Sequence, residues 1–142
     1  MDLRDRQNTL ISDLNLIADP HERLSVVANR ATGVNLPERH KIDANRVPGC
    51  ISRVWLIGTL EDGLCRFQSD ADSPVVKGLV ALLCDLYSGA NPREVSGLEP
   101  ELWSECGLDR LLSPTRLNGL NSVRARIREL ALQMQTASPA AG

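Results

Sequence analysis

The sequence predicts an α+β domain in which a small antiparallel sheet of about three strands is packed by helices. Two helical segments come first, one hairpin follows near the middle, and several helices complete the chain, so strands and helices are segregated and do not alternate. With 142 residues, 42% of them apolar and 24% charged, the chain is long enough to build one core. We therefore predict a single domain over residues 1–135 and a disordered tail over residues 136–142.

The first third of the chain predicts two helices and a long loop. Apolar residues at positions 10, 11, 14 and 17 share one helical face within residues 3–17. A second helix is expected to start at Asp19-Pro20, a capping residue followed by a proline, and to end at Gly33. Residues 34–49 are polar and irregular, and loops of about 15 residues in a compact domain are often functional.

The middle of the chain predicts a hairpin. Residues 51–57 (ISRVWLI) are rich in β-branched and aromatic side chains, and residues 64–69 (LCRFQS) alternate with Cys65 and Phe67 on the inner face. Asp62-Gly63 is typical of the turn between them. A short extended piece near Asn45–Val47 supplies the expected third strand.

The second half predicts mainly helices. Residues 75–87 are apolar nearly all round, which indicates a central buried helix that starts at Pro74 after a cap from Ser73 or Asp72. Short helices are expected after Asn91-Pro92 and over Glu99–Cys106. The last helix begins at Ser113-Pro114 and carries an amphipathic stripe from Leu117 to Met134, and its arginines at positions 124, 126 and 128 are expected on the solvated face.

Charge and hydropathy exclude several classes of protein. The net charge is −2, from 16 basic and 18 acidic residues, so the basic footprint of a nucleic-acid-binding protein is missing. No apolar run approaches the roughly 20 residues of a membrane-spanning helix, and the N-terminal segment MDLRDRQNTL lacks the apolar stretch of a secretory signal. We therefore expect a cytoplasmic protein that binds neither nucleic acid nor membranes.

The four cysteines, at positions 50, 65, 84 and 106, form no C-x-x-C pair, and both histidines stand apart from them. This spacing gives no zinc-site signal, and Cys65, Cys84 and Cys106 are expected to be packing residues. Cys50 differs because it follows Pro48-Gly49 at the junction of the long loop and a strand, where a turn leaves a thiol uncrowded. Its position alone leaves two interpretations open, a reactive thiol and a buried thiol at the start of a strand.

Four blocks of sequence add a resemblance. The segment R-V-P-G-C-I-S-R-V-W at 46–55 resembles the signature of the SufE family, sulfur-acceptor partners of cysteine desulfurases. The blocks S-D-A-D-S-P-V-V-K-G-L at 69–79, L-Y-S-G-A-N-P-R-E-V at 86–95 and L-S-P-T-R-L-N-G-L at 112–120 are similar to the family in order and spacing. The resemblance extends from about Leu10 to Leu132 and implies a SufE-like α+β domain related to the IscU/NifU-type scaffold fold.

The resemblance also implies a function, because the family's sulfur-accepting cysteine falls on Cys50. A cysteine desulfurase of the SufS or CsdA type, which carries PLP, would hold sulfur as a persulfide. This protein would accept that sulfur on Cys50, stimulate the desulfurase, and pass the sulfur to an iron–sulfur cluster scaffold of the SufB type. The implied activity is a partner-dependent sulfurtransferase with no cofactor or metal of its own, acting as a monomer or weak dimer.

Three further residues match polar positions of the family blocks: Asp72, Lys77 and Arg116. The resemblance implies that Asp72 and Arg116 lie near the cysteine loop, where Arg116 would stabilise a thiolate or persulfide and Asp72 would orient it or brace the loop. The alternative is a structural role in which Asp72 caps a helix and pairs with Arg116. Ser113 is expected to be a helix cap. Ile51 and Arg53 depart from the family, which often carries glutamine there, and this leaves the partner's identity open.

Three other functions stay open at this stage. A metal-binding cluster scaffold of the related IscU-type fold would need several cysteines converging on one site. A thiol peroxidase would need a resolving cysteine or an activating motif beside Cys50. A plain interaction module would be unaffected by Cys50→Ser. For the sulfur acceptor, we expect Cys50 to be tucked against apolar groups in the free protein and released when a partner docks.

Overall fold

The computed structural model describes residues 2–33 and 35–137. The chain forms six α-helices, two single-turn 3₁₀ helices and two strands within these ranges, which confirms the predicted α+β class. Their bounds are α1 Leu3–Asn15, α2 Pro20–Asn29, β1 Val54–Glu61, β2 Leu64–Ala71, α3 Pro74–Tyr87, α4 Pro92–Gly97, α5 Leu102–Glu105 and α6 Pro114–Ala137. None of the helices in the described part of the chain is both long enough and apolar enough to cross a membrane.

Strands β1 and β2 form an antiparallel hairpin that pairs from Val54 with Ala71 to Glu61 with Leu64. The connecting residues Asp62 and Gly63 have φ values of 53° and 79°, as the predicted two-residue turn requires. The hairpin places Cys65 and Phe67 in the core, as their alternation predicted. The helices pack against this inner face.

The described sheet has two strands, not the expected three. The predicted strand near Asn45–Val47 is reduced to a single bridge between Arg46 and Trp55, supported by a 2.8 Å hydrogen bond from the Val47 N–H to the Val54 carbonyl. A 3₁₀ turn ends at Asn45 immediately before the bridge, and Pro48 after it has no N–H to donate. Only two residues are therefore free to pair.

Strand β1 also starts three residues later than the sequence predicted. Residues 51–53 form a bend, and the side chain of Ile51 is 83% exposed instead of lying on a strand face. We call residues 48–53 the Cys50 loop. This loop crosses α6 before the chain enters the sheet at Val54.

Helix α3 is the centre of the core, as its apolar sequence predicted. It is buried from Gly78 to Cys84 and contacts β2 on one side and α2 on the other. At the crossing with α2, a Cβ at Gly78 would lie 2.2 Å from the Val27 carbonyl oxygen. Only a glycine permits this approach of the two backbones.

Helix α6 closes the opposite side of the core against α4 and β1. Its stripe is buried as predicted at Leu120, Val123, Ile127 and Met134. The helix continues to Ala137, two residues into the predicted tail, and the rest of that tail, residues 138–142, lies outside the described residues.

One of the three α6 arginines predicted to lie on a solvated face is buried instead. Arg124 is 5% exposed and its guanidinium carbon lies 4.7 Å from the centre of the Tyr87 ring. It also donates to the Glu99 carboxylate at 3.3 Å. The aromatic ring and the carboxylate together explain the burial, because a guanidinium leaves water where it finds both a ring and an anion.

Candidate functional site

Cys50 lies at the tip of a loop that is pressed onto helix α6. The turn before it depends on Gly49, whose φ is +85°. A Cβ at this position would lie 2.6 Å from Ser122 Oγ on α6. Glycine is therefore required twice, for the left-handed backbone and for the close approach to the helix.

The thiol of Cys50 points at the backbone of the same helix. Cys50 Sγ lies 3.4 Å from the Gly119 carbonyl oxygen and donates its hydrogen to it. A Cβ at Gly119 would lie 3.5 Å from Sγ, an ordinary van der Waals distance, so the sulfur lies directly against the surface of the helix. A carbonyl acceptor favours the protonated thiol, since a thiolate has no hydrogen to donate.

Cys50 also forms part of the wall of a cavity of about 240 Å³ between the Cys50 loop, α3 and α6. Aliphatic side chains from the two helices line its interior, and hydroxyl groups and one arginine lie at its edge. The lining residues are Cys50, Ile51, Ser52, Val76, Leu79, Val80, Ser113, Thr115, Arg116, Gly119, Leu120 and Val123. A half-buried thiol therefore faces an apolar space large enough for additional sulfur atoms.

Burial and one charge act on the thiol in opposite directions. Desolvation raises the pKa of Cys50 above its ordinary value, and the Arg46 guanidinium partly offsets this rise. Sequence reasoning missed Arg46 as a site residue. Its position four residues before the cysteine, across the Pro48-Gly49 turn, was the available signal, because such a turn folds the chain back on itself.

The other three cysteines lie inside the core, as their patterns predicted. Burial raises the pKa of Cys65 to about 11 and that of Cys84 to about 12, and it raises the pKa of Cys106 as well. All three are buried, whereas Cys50 is half-buried. Cys50 is therefore the thiol that a protein partner can reach with the smallest rearrangement.

The three supporting residues expected from the sequence are not gathered in one place. Arg116 lines the cavity with Cys50, and its backbone N–H is capped by Ser113 Oγ at 3.2 Å, which confirms Ser113 as a helix cap. Asp72 accepts a 2.7 Å hydrogen bond from Arg53 Nε. Lys77 binds Asp70, with Nζ and Oδ1 3.2 Å apart.

This placement changes the structural interpretation of Asp72. Its carboxylate pairs with Arg53 and not with Arg116, and the helix after it starts without a side-chain cap. Both partners of the pair are about half exposed, at 57% for Arg53 and 46% for Asp72. Asp72 therefore lies at the base of the Cys50 loop and outside the cavity.

Metal ligands are not grouped anywhere in residues 2–33 and 35–137. No three histidine, cysteine, aspartate or glutamate side chains come together there. Of the cysteines, three are separated from Cys50 by their burial in the core.

Comparison with known proteins agrees with the resemblance seen in the sequence. The family described as SufE, Fe-S metabolism associated domain, matches residues 8–131. A SufE-like protein of Synechocystis sp. is 40% identical over 98 residues, which are 69% of this chain and 62% of that relative. A SufE-like protein of Rhizobium etli is 36% identical over 128 residues, 86% of each chain.

A solved structure agrees with the fold. The solution structure of a hypothetical protein from Thermus thermophilus matches with a TM-score of 0.75, covering 92% of this chain and 96% of that chain. The sequence identity is 22%, so this likeness supports the arrangement of helices and strands alone.

Proposed function

Since the chain belongs to the SufE family of domains associated with Fe–S metabolism, we propose that it accepts sulfur on Cys50 from the persulfide of a PLP-dependent cysteine desulfurase. It then passes the sulfur to an iron–sulfur cluster scaffold. The observation that carries this proposal is the placement of Cys50, a half-buried thiol at a loop tip facing an apolar cavity. PLP belongs to the desulfurase and supplies the cleavage of free cysteine there.

The transfer is a displacement at sulfur. The Cys50 thiolate attacks the outer, protonated sulfur of the partner's persulfide, and a new S–S bond forms on Cys50 Sγ. The bond between that outer sulfur and the partner's cysteine breaks, and its electron pair leaves on the partner's thiolate. One sulfur atom and its proton move, and no external oxidant or reductant takes part.

The free protein holds Cys50 in an unreactive form. The thiol is protonated against the Gly119 carbonyl, and its pKa is raised by burial, so little thiolate is present near neutral pH. Attack on a partner requires the thiol to leave Gly119 and turn outward. Docking of the desulfurase supplies this movement, and Arg46 then favours the thiolate.

The surface around Cys50 suits a protein partner. Ile51 presents an exposed aliphatic side chain beside the thiol, and Arg46, Arg53 and Arg116 are exposed around it. Ile51 and Arg53 occupy positions where the family often carries glutamine. These two residues therefore adapt the docking surface to the particular desulfurase of this protein.

A metal-binding cluster scaffold is the second candidate, because the related IscU-type fold performs that role. The geometry favours the acceptor over the scaffold. A scaffold needs several cysteines at one site, and Cys65, Cys84 and Cys106 are buried in the core away from the Cys50 loop.

Intact-mass analysis tests the proposal. The protein is incubated with an active cysteine desulfurase and free cysteine without reductant, and alanine release verifies that the desulfurase turns over. We expect a gain of about 32 Da per sulfur, the mass of one sulfur atom added to a thiol. Peptide mapping is expected to place the gain on Cys50.

Two variants complete the test. Cys50→Ser is expected to abolish the gain, whereas Cys106→Ala, which removes a different thiol, is expected to keep it. Sulfur on the Cys50→Ser protein would move the acceptor to another cysteine. No gain on the wild-type protein beside a desulfurase that turns over would reject sulfur acceptance from that enzyme.

A further inference from the structure

Asp70 on β2 is a buried carboxylate that the sulfur chemistry does not use. Its side chain is 3% exposed and receives four donors. Oδ2 accepts from the Leu36 N–H at 3.0 Å and lies 3.1 Å from Lys41 Nζ. Oδ1 accepts from the Ala71 N–H at 2.8 Å and lies 3.2 Å from Lys77 Nζ.

The donors come from three parts of the chain. Ala71 is the neighbour of Asp70 on β2, Lys77 is on α3, and Leu36 and Lys41 belong to the segment before the Cys50 loop. Lys77 also donates to Asn35 Oδ1 of that segment at 2.7 Å. We call Asp70, Lys41, Lys77 and Asn35 the Asp70 cluster.

The composition of the cluster is unusual for this chain. Lys41 and Lys77 are the only two lysines of the sequence, and both form ion pairs with this one carboxylate. Burial alone would raise the pKa of Asp70, but hydrogen bonds from two backbone N–H groups and from both lysines hold that pKa below its ordinary value. The carboxylate is therefore an anion that joins the segment to the sheet and to α3.

The segment from Asn35 to Val47 has few apolar contacts to hold it. Leu36 and Val47 are buried at its two ends, and no residue between them is buried. At the second end, Val47 is fixed by its hydrogen bond to Val54. At the first end, the fixing groups are Leu36 and the polar contacts of the Asp70 cluster.

We propose that Asp70 is a positioning residue for Cys50: it anchors the segment 35–47 and thereby seats the Cys50 loop on α6. Asp70 acts through Lys41, Lys77 and the Leu36 N–H and does not touch the thiol. This role also explains why Lys77, which matches a polar position of the family blocks, lies in the Asp70 cluster and not in the cavity. The effect on sulfur transfer rests on the proposed function, whereas the effect on the accessibility of the thiol does not.

The test measures alkylation of each cysteine by iodoacetamide, followed by peptide mass mapping. Release of the segment exposes Cys50 alone, while global unfolding exposes all four thiols together, so the three core cysteines are an internal control. Lys41→Met removes the charged contact to Asp70, together with the pairing to Glu38 and the contact of the ammonium with the Trp55 ring, whose centre is 5.6 Å away. Glu38→Gln is the matched control, because Glu38 contacts the same lysine but not Asp70.

We expect Lys41→Met to raise the rate of Cys50 labelling by about threefold or more, with the core cysteines unchanged. Asn35→Ala is expected to give a smaller rise and Glu38→Gln none. Asp70→Asn, if it folds, is expected to give the largest rise. The proposal is overturned if Cys50 in Lys41→Met is labelled no faster than in Glu38→Gln, or if all four cysteines accelerate together.

The same variants separate this inference from the proposed function. Labelling needs no desulfurase, so a rise at Cys50 supports the positioning role even where no sulfur is accepted. If sulfur is accepted by the wild-type protein but the labelling of Cys50 does not respond to Lys41→Met, the acceptor role stands and the positioning role is rejected.

Discussion

Gly49→Ala tests directly whether the Cys50 loop is held on helix α6. Gly49 has a φ of +85°, and a Cβ there would lie 2.6 Å from Ser122 Oγ. The substitution therefore adds two separate costs. One is the left-handed backbone of an alanine, and the other is the displacement of the Ser122 hydroxyl, which donates to the Asn118 carbonyl at 3.1 Å.

The size of each cost can be worked out from these contacts. An alanine in the left-handed region costs about 1–2 kcal/mol, part of which is offset by its lower entropy in the unfolded chain. Loss of the Ser122 hydrogen bond adds about 0.5–1.5 kcal/mol. If the loop stays on the helix, the free energy of unfolding falls by about 0.5–3 kcal/mol. If the loop lifts off instead, the loss is smaller and Cys50 becomes more accessible.

Gly63→Ala provides the matched control. Gly63 has a φ of +79°, and nothing lies within 4 Å of a Cβ built on it. Gly63→Ala therefore has the cost of a left-handed alanine without a steric clash against a neighbouring side chain. Urea denaturation gives the free energy of unfolding of both variants, and iodoacetamide labelling gives the rate at Cys50. In a Ser122→Ala background the hydroxyl is already absent, so adding Gly49→Ala there is expected to cost only the left-handed backbone.

The result that would refute this reasoning is specific. Gly49→Ala and Gly63→Ala would show the same loss of stability, within about 0.5 kcal/mol, the margin within which the effects of independent substitutions usually add. The labelling rate of Cys50 would also be unchanged. Both observations together would mean that the loop does not lie on Ser122 in solution.

Two further predictions concern stability. Gly78→Ala is expected to destabilise the protein by about 1–3 kcal/mol in urea, because a Cβ at Gly78 would lie 2.2 Å from the Val27 carbonyl oxygen. Gly97→Ala, also helical but with nothing within 4 Å, should be neutral or slightly stabilising, and equal effects would contradict the close helix crossing. The free energy of unfolding is expected to fall as the pH rises above the ordinary thiol pKa, because burial raises the pKa of all four cysteines. The unfolded chain then releases protons that the native thiols retain, at about 1.4 kcal/mol per pH unit for each thiol, and a flat pH profile from about 8 to 11 would contradict this.

The order of helices and strands could be predicted from the sequence because it depends on local patterns. Proline and capping residues predict where helices begin, and Asp62-Gly63 fixes the hairpin. The prediction of a third strand was wrong because a 3₁₀ turn and a proline, both local features, interrupt strand pairing on either side of two β-compatible residues. The prediction that Arg124 lies on a solvated face was wrong for a different reason. Its burial depends on Tyr87 and Glu99, which belong to other parts of the chain.

The place of Cys50 in the fold could be predicted from the sequence, and its contacts could not. Pro48-Gly49 before Cys50 predicts a cysteine at a loop tip, and the structure places it there. The hydrogen bond from Cys50 to Gly119 joins residues 69 positions apart, so no local sequence pattern predicts it. Lys77 likewise matches a family position, but its partner Asp70 becomes visible only when α3 is packed on β2.

These contacts separate two quantities that a single activity assay would combine. Small-reagent labelling measures how often Cys50 leaves Gly119 in the free protein, while sulfur transfer, under the proposed function, measures how well the released thiol is positioned at the partner's persulfide. Loosening the loop through Gly49 or Lys41 lowers the cost of release, but it also raises the entropy that docking must remove. Labelling should therefore accelerate in both variants without a matching gain in transfer. Parallel acceleration of both would mean that release alone limits the reaction, and that the partner contributes little to positioning Cys50.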